Sequence, residues 1–296
     1  MDKIVIAGGT GFVGQYLSKR FQTLGFQVVV IGRRRGTIQW TDHSSISDAL
    51  ENAAILINLA GKSVNCRYTE KNKAEIFSSR TDTTSILGEL IAGCTNPPKL
   101  WLNSSTATIY RHAEDRPMTE SSGEIGTGFS VDVAMLWEKT FFDFKLPQTR
   151  QVALRMAIVL GPDGGVIHPF KNLVRFGLGG IQGNGRQYFS WIHIEDLFQI
   201  IQFLQSHDNI SGVINCAAPH PITNKTFMDT FRQIMHRKFG LPSPKWLLEI
   251  GAALIGTETE LLLKSRWVLP ERLENHAYRF NFPTISSALE DILQPG

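Results

Sequence analysis

A chain of 296 residues with 42% apolar and 19% charged residues can bury a large core, which excludes a disordered protein. Its formal net charge of +3 is too small for a nucleic-acid or membrane-surface face, and no apolar run reaches membrane-spanning length. Three scattered cysteines, Cys66, Cys94 and Cys216, offer no CxxC and no His/Cys pair at ligand spacing, so no metal site is expected and a reducing compartment fits; with no signal-peptide layout in MDKIVIAGG, a cytoplasmic location is expected.

In chain order, KIVIAG predicts a first strand and Phe12 to Leu24 a helix. QVVVIG and AAILINLAG predict two further strands, and a long helix follows from about Lys73 to Ala92. LWLNSST reads as a fourth strand, then come a loop to Gly128, a helix opening at GFSVDVAMLWEK (128–139), and the strand-like QVALRMAIVLG. Uniformly apolar strands alternating with amphipathic helices imply a parallel sheet covered on both faces. Right-handed crossovers make such a sheet doubly wound. After Gly161 the texture changes, because PDGGVIHPF and GLGGIQGNGRQ are glycine-rich and break the alternation. A helix from Ile194 to Gln205 and the strand-like GVINCAA come next, and helices are predicted at about Asn224–Phe239, Trp246–Ile255 and Ile285–Leu293. The predicted fold is α/β: a Rossmann doubly wound parallel sheet over 1–160, with 190–218 returning to it, and a smaller, mainly helical lobe over 161–296.

The first turn, IAGGTGFVGQYL, places Gly8, Gly11 and Gly14 between a strand and a helix. A tight turn, close approach of backbone to a pyrophosphate, and close strand–helix packing each need a residue without a side chain. The helix N-terminus then offers N–H groups and a positive dipole end, so Thr10, Phe12 and Val13 join Gly8 and Gly11 as candidate cofactor contacts. The second strand ends in VVVIGRRRGT with no carboxylate to accept from a ribose 2′-OH. Arg33 and Arg34 there offer forked cations suited to a 2′-phosphate, which points to NADP(H) rather than NAD(H); the alternative is a solvated surface turn.

GGTGFVG, NLAG at 58–61 and SSTATIY at 104–110 resemble the extended short-chain dehydrogenase/reductase superfamily of nucleotide-sugar epimerases and dehydratases. EIFSSRTDTT (75–84), VLGPDGGVIHPF (159–170), GLGGIQGNGRQYFSWIHIEDL (177–197) and LLLKSRWVLPERL (261–273) are similar to one atypical subfamily of NAD-dependent epimerase/dehydratase-like "epimerase family" proteins, the last within its short C-terminal extension, about 240–296 here. The resemblance implies a Rossmann fold with a substrate lobe, a small-molecule substrate, and cofactor contacts at Leu59, Ala60 and Gly61; it names no substrate. It also implies a Ser/Thr, a Tyr and a Lys for proton transfer at a carbonyl or alcohol oxygen. Thr106 falls on the Ser/Thr position. The Tyr and Lys belong four residues apart, just ahead of Glu138, where this chain has Ser130 and Ala134. Asp132 lies in the first helical turn, and Lys139 is expected to face away.

Arg80 stands where the superfamily usually has an Asn, and could hold an anionic substrate, bracket the cofactor, or be a salt-bridged helix residue. His193 could be an acid–base group, or a structural histidine bonded to Asp196 or backbone. Tyr110 is a candidate phenol that also reads as a packing aromatic, and Tyr188 and Trp191 could wall a pocket. Two functions fit: an NADP(H)-dependent oxidoreductase or epimerase-like enzyme lacking the usual Tyr–Lys pair, or an NADP(H)-binding sensor without turnover.

Overall fold

The strand β1 (Lys3–Ala7) is fully buried from Ile4 to Ala7, which explains its lack of polar alternation. It sits inside a seven-stranded sheet, between β2 (Gln27–Gly32) and β4 (Ala53–Asn58). Beyond β2 lies short β3 (Ile38–Gln39). Beyond β4 lie β5 (Leu100–Thr106), β6 (Arg150–Met156) and the edge strand β10 (Gly212–Cys216). Every neighbouring pair in this sheet is parallel. Strand order reverses between β1 and β4, so the crevice past their carboxyl ends is the topological switch point where doubly wound sheets bind ligands. The computed structural model describes residues 2–34, 37–243 and 264–294; Arg35 and the helix predicted over Trp246–Ile255 lie outside the described residues.

Alternation along β1 feeds two cores. Ile4 and Ile6 pack with Leu17 and Phe21 of α1 (Phe12–Thr23) and with Leu197, Phe198 and Ile201 of α6 (Ile194–Ser206). Val5 and Ala7 point the other way, toward Ile46 and Leu50 of α2 (His43–Leu50), Leu87 and Ile91 of α3 (Glu70–Gly93), and Phe141 of α4 (Phe129–Asp143). The lobe has its own core, in which α5 (Ile167–Arg175), α7 (Asn224–Ile234) and α9 (Ile285–Leu293) close over Phe170, Trp191, Phe227 and Leu289. Two small sheets edge it: β7 (Ile158–Leu160) runs parallel to β9 (Trp191–His193), and β8 (Tyr188–Phe189) antiparallel to β11 (Ile222–Thr223). Among the described residues no helix is long and apolar enough to cross a membrane.

Three departures from the sequence reading have identifiable physical causes. Helix α2 is short and rich in serine, and is fixed by Asp42, whose carboxylate accepts from Ser45 N at 3.0 Å. Helix α7 stops at Ile234 rather than Phe239, because His236 takes the left-handed backbone (φ 54°). Finally, α8 (Glu271–Asn275) belongs to the main core and not to the lobe. Its Leu273 is fully buried against the sheet face, and Arg272 Nη1 donates to the carbonyls of Ser211 at 2.7 Å and Val213 at 2.6 Å beside β10.

Candidate functional site

The turn between β1 and α1 is built by glycines in contact with backbone. Gly8 has φ +77°, and a Cβ there would lie 2.7 Å from Leu59 C and 2.8 Å from Ala60 N. A Cβ on Gly14 would lie 2.5 Å from Gly9 Cα, so helix and turn touch main chain to main chain. Gly9, which the sequence reading did not single out, meets Val30 Cγ1 at 2.8 Å by the same test. Gly11 is different: its nearest neighbour would be 3.6 Å away, and it caps α1 with no side chain. Helix α1 also has no acidic residue in its first turn, so its N–H groups and dipole face the crevice uncompensated by a carboxylate. Phe12 anchors this start from below, since Gly161, Gly164 and Gly165 leave only the room its ring fills. Val13 packs on the α1/α6 core, and the Thr10 carbonyl accepts from Gln15 Nε2 at 2.7 Å.

Past β2, Arg33 and Arg34 are both exposed. Arg34 is tied through its backbone: its carbonyl accepts from Thr37 Oγ1 at 2.7 Å and from Gln39 Nε2 at 2.9 Å. The two guanidinium groups therefore stand at the end of the strand neighbouring the phosphate turn, as a 2′-phosphate site requires.

After β4, Asn58 shapes the NLAG segment. Its Oδ1 accepts from Ala60 N at 3.1 Å, and its Nδ2 donates to Asn103 Oδ1 at 2.7 Å and Thr84 Oγ1 at 3.2 Å. Leu59 N is held by the Ala7 carbonyl at 2.8 Å, which sets Leu59–Gly61 against the phosphate turn. Thr84 also accepts from Trp137 Nε1 at 3.0 Å, and the Trp137 face carries the Arg80 guanidinium at 5.1 Å. Arg80 Cζ would lie 3.1 Å from a Cβ on Gly61, and its Nη1 donates to Ile76 O at 3.0 Å. Burial pushes its pKa down to about 10, and the Tyr68 phenol opposes that shift. Arg80 is thus a half-buried cation at the crevice wall, held by a carbonyl and a ring face.

Thr106 ends β5 and starts a short 3-10 turn, Ala107–Ile109. Its Oγ1 accepts from Thr108 N at 3.1 Å, which leaves its own O–H to donate. Helix α4 packs over this turn through Val131 and Ala134. Ala134 is fully buried, and Lys139 pairs with Asp143 on the exposed face, so neither brings a cation to the crevice. Ser130 is half-exposed, and its Oγ lies 3.4 Å from the hydroxyl of Tyr68, which arrives from the loop ahead of α3. Sequence reasoning missed Tyr68; the one available signal was a lone phenol between NLAG and the helix start.

The structure places the other candidates elsewhere. Tyr110 is 2% exposed; it accepts from Arg155 Nη1 at 2.9 Å and donates to Asn215 Oδ1 at 2.9 Å. Burial pushes its phenol up, which keeps it protonated as packing rather than as substrate contact. The same Arg155 clamps Glu138 through two hydrogen bonds, at 2.8 and 2.7 Å, and Glu138 also accepts from Ser105. Trp191 is fully buried in the lobe core and walls no crevice. Tyr188 stacks on Trp267 at 4.0 Å, and the segment that carries Trp267 reaches the Thr106 turn, where Lys264 Nζ meets Thr108 O at 2.8 Å and Arg266 Nε meets Thr108 Oγ1 at 3.0 Å.

His193 is a helix cap rather than an acid–base group. Its Nδ1 accepts from Glu195 N at 3.2 Å, and its Nε2 lies 3.3 Å from Asp291 Oδ2 without hydrogen-bond geometry. Of the two structural partners expected from sequence, backbone is the one observed; Asp196 accepts from Asn281 N at 2.7 Å and Phe282 N at 2.9 Å. Burial lowers the His193 pKa against the pull of Asp291 and Glu195, so the fold holds it neutral. A depressed base contributes stability that is whole above its ordinary 6.5 and is lost as pH falls through the lowered folded value. Denaturant titrations at falling pH are expected to show wild type losing stability relative to His193→Gln below about pH 6.5; parallel pH profiles would contradict this.

Comparison with known proteins agrees with this geometry. The family model described as "NAD dependent epimerase/dehydratase family" matches residues 4–217, and a domain of unknown function, DUF1731, matches residues 243–292. Epimerase family protein YfhF of Bacillus subtilis is 33% identical over 98% of this chain and 97% of its own. The crystal structure of human epimerase family protein SDR39U1 (isoform 2) with NADPH is similar at TM-score 0.90 and 30% identity, covering 99% of this chain and 100% of that one. A nucleoside-diphosphate sugar epimerase from Corynebacterium glutamicum is similar at TM-score 0.78 and 29% identity, with 98% of this chain matching 58% of that longer one.

Proposed function

Because the chain belongs to the NAD-dependent epimerase/dehydratase family, we propose that it is an NADP(H)-dependent oxidoreductase or epimerase-like protein acting on a small-molecule substrate. The observation that carries this reading is a single arrangement: an uncapped α1 start cradled by Gly8 and Gly14, with two exposed guanidinium groups and no carboxylate at the end of β2. The NADPH in the human relative's crystal structure supports it.

The residues fit the dinucleotide. The backbone N–H groups of Phe12 and Val13 at the α1 start would hold the pyrophosphate, and Arg33 and Arg34 the 2′-phosphate. Leu59, Ala60 and Gly61 line the crevice beside them. When bound, NADP(H) supplies or accepts a hydride at a substrate carbon. The Thr106 hydroxyl orients the substrate oxygen: the Thr108 N–H fixes its Oγ1, and its O–H is left to donate. A second reading, a sensor that binds NADP(H) without turnover, is favoured by one observation: the α4 positions of the family's phenol and ammonium hold Ser130 and a fully buried Ala134.

Removing Arg33 and Arg34 together by alanine tests the cofactor assignment. Each charge-assisted contact contributes ~1.5–3 kcal/mol, so NADPH affinity should fall at least about tenfold while NADH affinity stays level. An unchanged ratio of the two affinities would overturn it. Oxidation of bound NADPH by a panel of carbonyls and quinones separates the two readings: any turnover favours the enzyme, and tight binding with no turnover favours the sensor.

A further inference from the structure

One cation of the crevice wall has no anion. Arg80 rises from α3 with its guanidinium flat against Gly61, where a Cβ would lie 3.1 Å from Cζ, 3.3 Å from Nη2 and 3.4 Å from Nη1. Its Nη1 donates to the Ile76 carbonyl at 3.0 Å, and its Cζ lies 5.1 Å from the centre of the Trp137 ring. Among the described residues it forms no ion pair, and the side chain that favours its charge is the Tyr68 phenol, not a carboxylate. By contrast, Lys62 beside Gly61 pairs with Glu75, Lys73 on α3 with Glu70, and Lys139 on α4 with Asp143.

A half-buried guanidinium without a counter-charge loses hydration that a carbonyl and a ring face replace only in part. Burial takes its pKa to about 10, so it stays charged at neutral pH. It is also held in place. Thr84 accepts the Trp137 indole N–H at 3.0 Å, and Asn58 Nδ2 donates to Thr84 at 3.2 Å, so the ring under the guanidinium is fixed. A fixed planar fork, whose other N–H groups bind no described residue, is suited to two oxygens of one acid group.

The dinucleotide's own charges have other partners in the reading above: the α1 start for the pyrophosphate, Arg33 and Arg34 for the 2′-phosphate. Helix α1 packs with α6 on one face of the sheet, and α3 and α4 pack on the other. Arg80 therefore lies in the same layer as the helix that covers the Thr106 turn, and it rests on a ring of that helix. We propose that Arg80 receives the acid group of the substrate, so that the crevice takes a small molecule bearing a carboxylate or a phosphate. The proposal rests on the NADP(H)-dependent reading and names its substrate class. Arg80 holds the acid end through paired N–H···O bonds, and Thr106 the oxygen of the reacting carbon.

Calorimetry on the NADPH-saturated chain tests this, with oxalate and inorganic phosphate as probes and oxamide as the neutral control. Bound NADPH keeps the probes off Arg33, Arg34 and the α1 start. Saturable binding of at least one acid is expected, and none of oxamide. Arg80→Met should weaken acid binding at least about tenfold, the loss of a charge-assisted contact, and Arg80→Lys, which keeps the charge without the fork, by less. NADPH affinity should stay within about twofold of wild type in both. If Arg80→Met does not fold, Arg80→Gln takes its place. Wild type that binds neither acid, or acid binding that survives the loss of the Arg80 charge, overturns the proposal. So does an Arg80→Met protein whose NADPH affinity falls about tenfold, since the anion is then the dinucleotide's own. Wild type that fails to bind NADPH but binds an acid through Arg80 instead defeats the cofactor reading and leaves the acid site standing.

Discussion

Gly14→Ala is expected to weaken NADPH binding by roughly ten- to a hundredfold and to lower stability by about 1–3 kcal/mol, as overpacking of a close contact does. The new methyl group would sit 2.5 Å from Gly9 Cα, 2.8 Å from Gly9 C and 2.9 Å from Gly8 O. All three are backbone atoms, so no side chain can rotate away and α1 must lift off the phosphate turn. Its N–H groups move with it and no longer meet the pyrophosphate. Gly11→Ala is the control for the fold, because its methyl group would meet nothing closer than 3.6 Å. It should cost less than about 1 kcal/mol of stability. Calorimetry and denaturant unfolding of the two variants check the pair of outcomes, and a Gly14→Ala protein that binds NADPH like wild type would show that the close contact is not what positions the helix.

Glu138→Ala is expected to destabilise the protein by about 3–5 kcal/mol, the largest stability effect of any single change considered. The carboxylate is 8% exposed and neutralises Arg155 through two hydrogen bonds, with Ser105 on its other side. Removing it leaves a guanidinium in a low-dielectric setting with, among the described residues, only the Tyr110 hydroxyl to bind. The pair ties α4 to β5 and β6 beneath the Thr106 turn, so the loss also loosens the surface on which Ser130 stands. Replacing both ions, as in Glu138→Met with Arg155→Met, should recover much of the loss, because no uncompensated charge remains. Urea unfolding of single and double variants checks this; a single variant as stable as wild type would mean that water reaches Arg155 and the pair is not sealed.

The sheet was legible because both of its faces are covered. β1, β4 and β5 bury nearly every residue, so their apolar runs stand out against the helices between them. The phosphate turn was legible because three glycines fell between a strand and a helix, although the packing showed that Gly9 shares the work of Gly14. Short elements were not legible. Helix α5 hides in a glycine-rich stretch, and α8 spans only Glu271–Asn275 and earns its place through Leu273 and Arg272, whose partners lie about sixty residues upstream. The same distance problem hid Tyr68, since its relation to Ser130 spans 62 positions and no local pattern records it. His193 carried two readings for the same reason: a histidine at a strand–helix junction fits either acid–base chemistry or a structural bond to Asp196 or backbone, and only the Glu195 N–H in front of Nδ1 picks out the backbone-bonded cap.

Under the proposed function, the α1 start and the two arginines together select a dinucleotide with an extra phosphate. Titration calorimetry of the wild-type chain with NADPH and with NADH, side by side at one ionic strength, tests that directly. The expected result is saturable binding of both, with NADPH tighter by about tenfold or more. Equal affinities, or a preference for NADH, would contradict it.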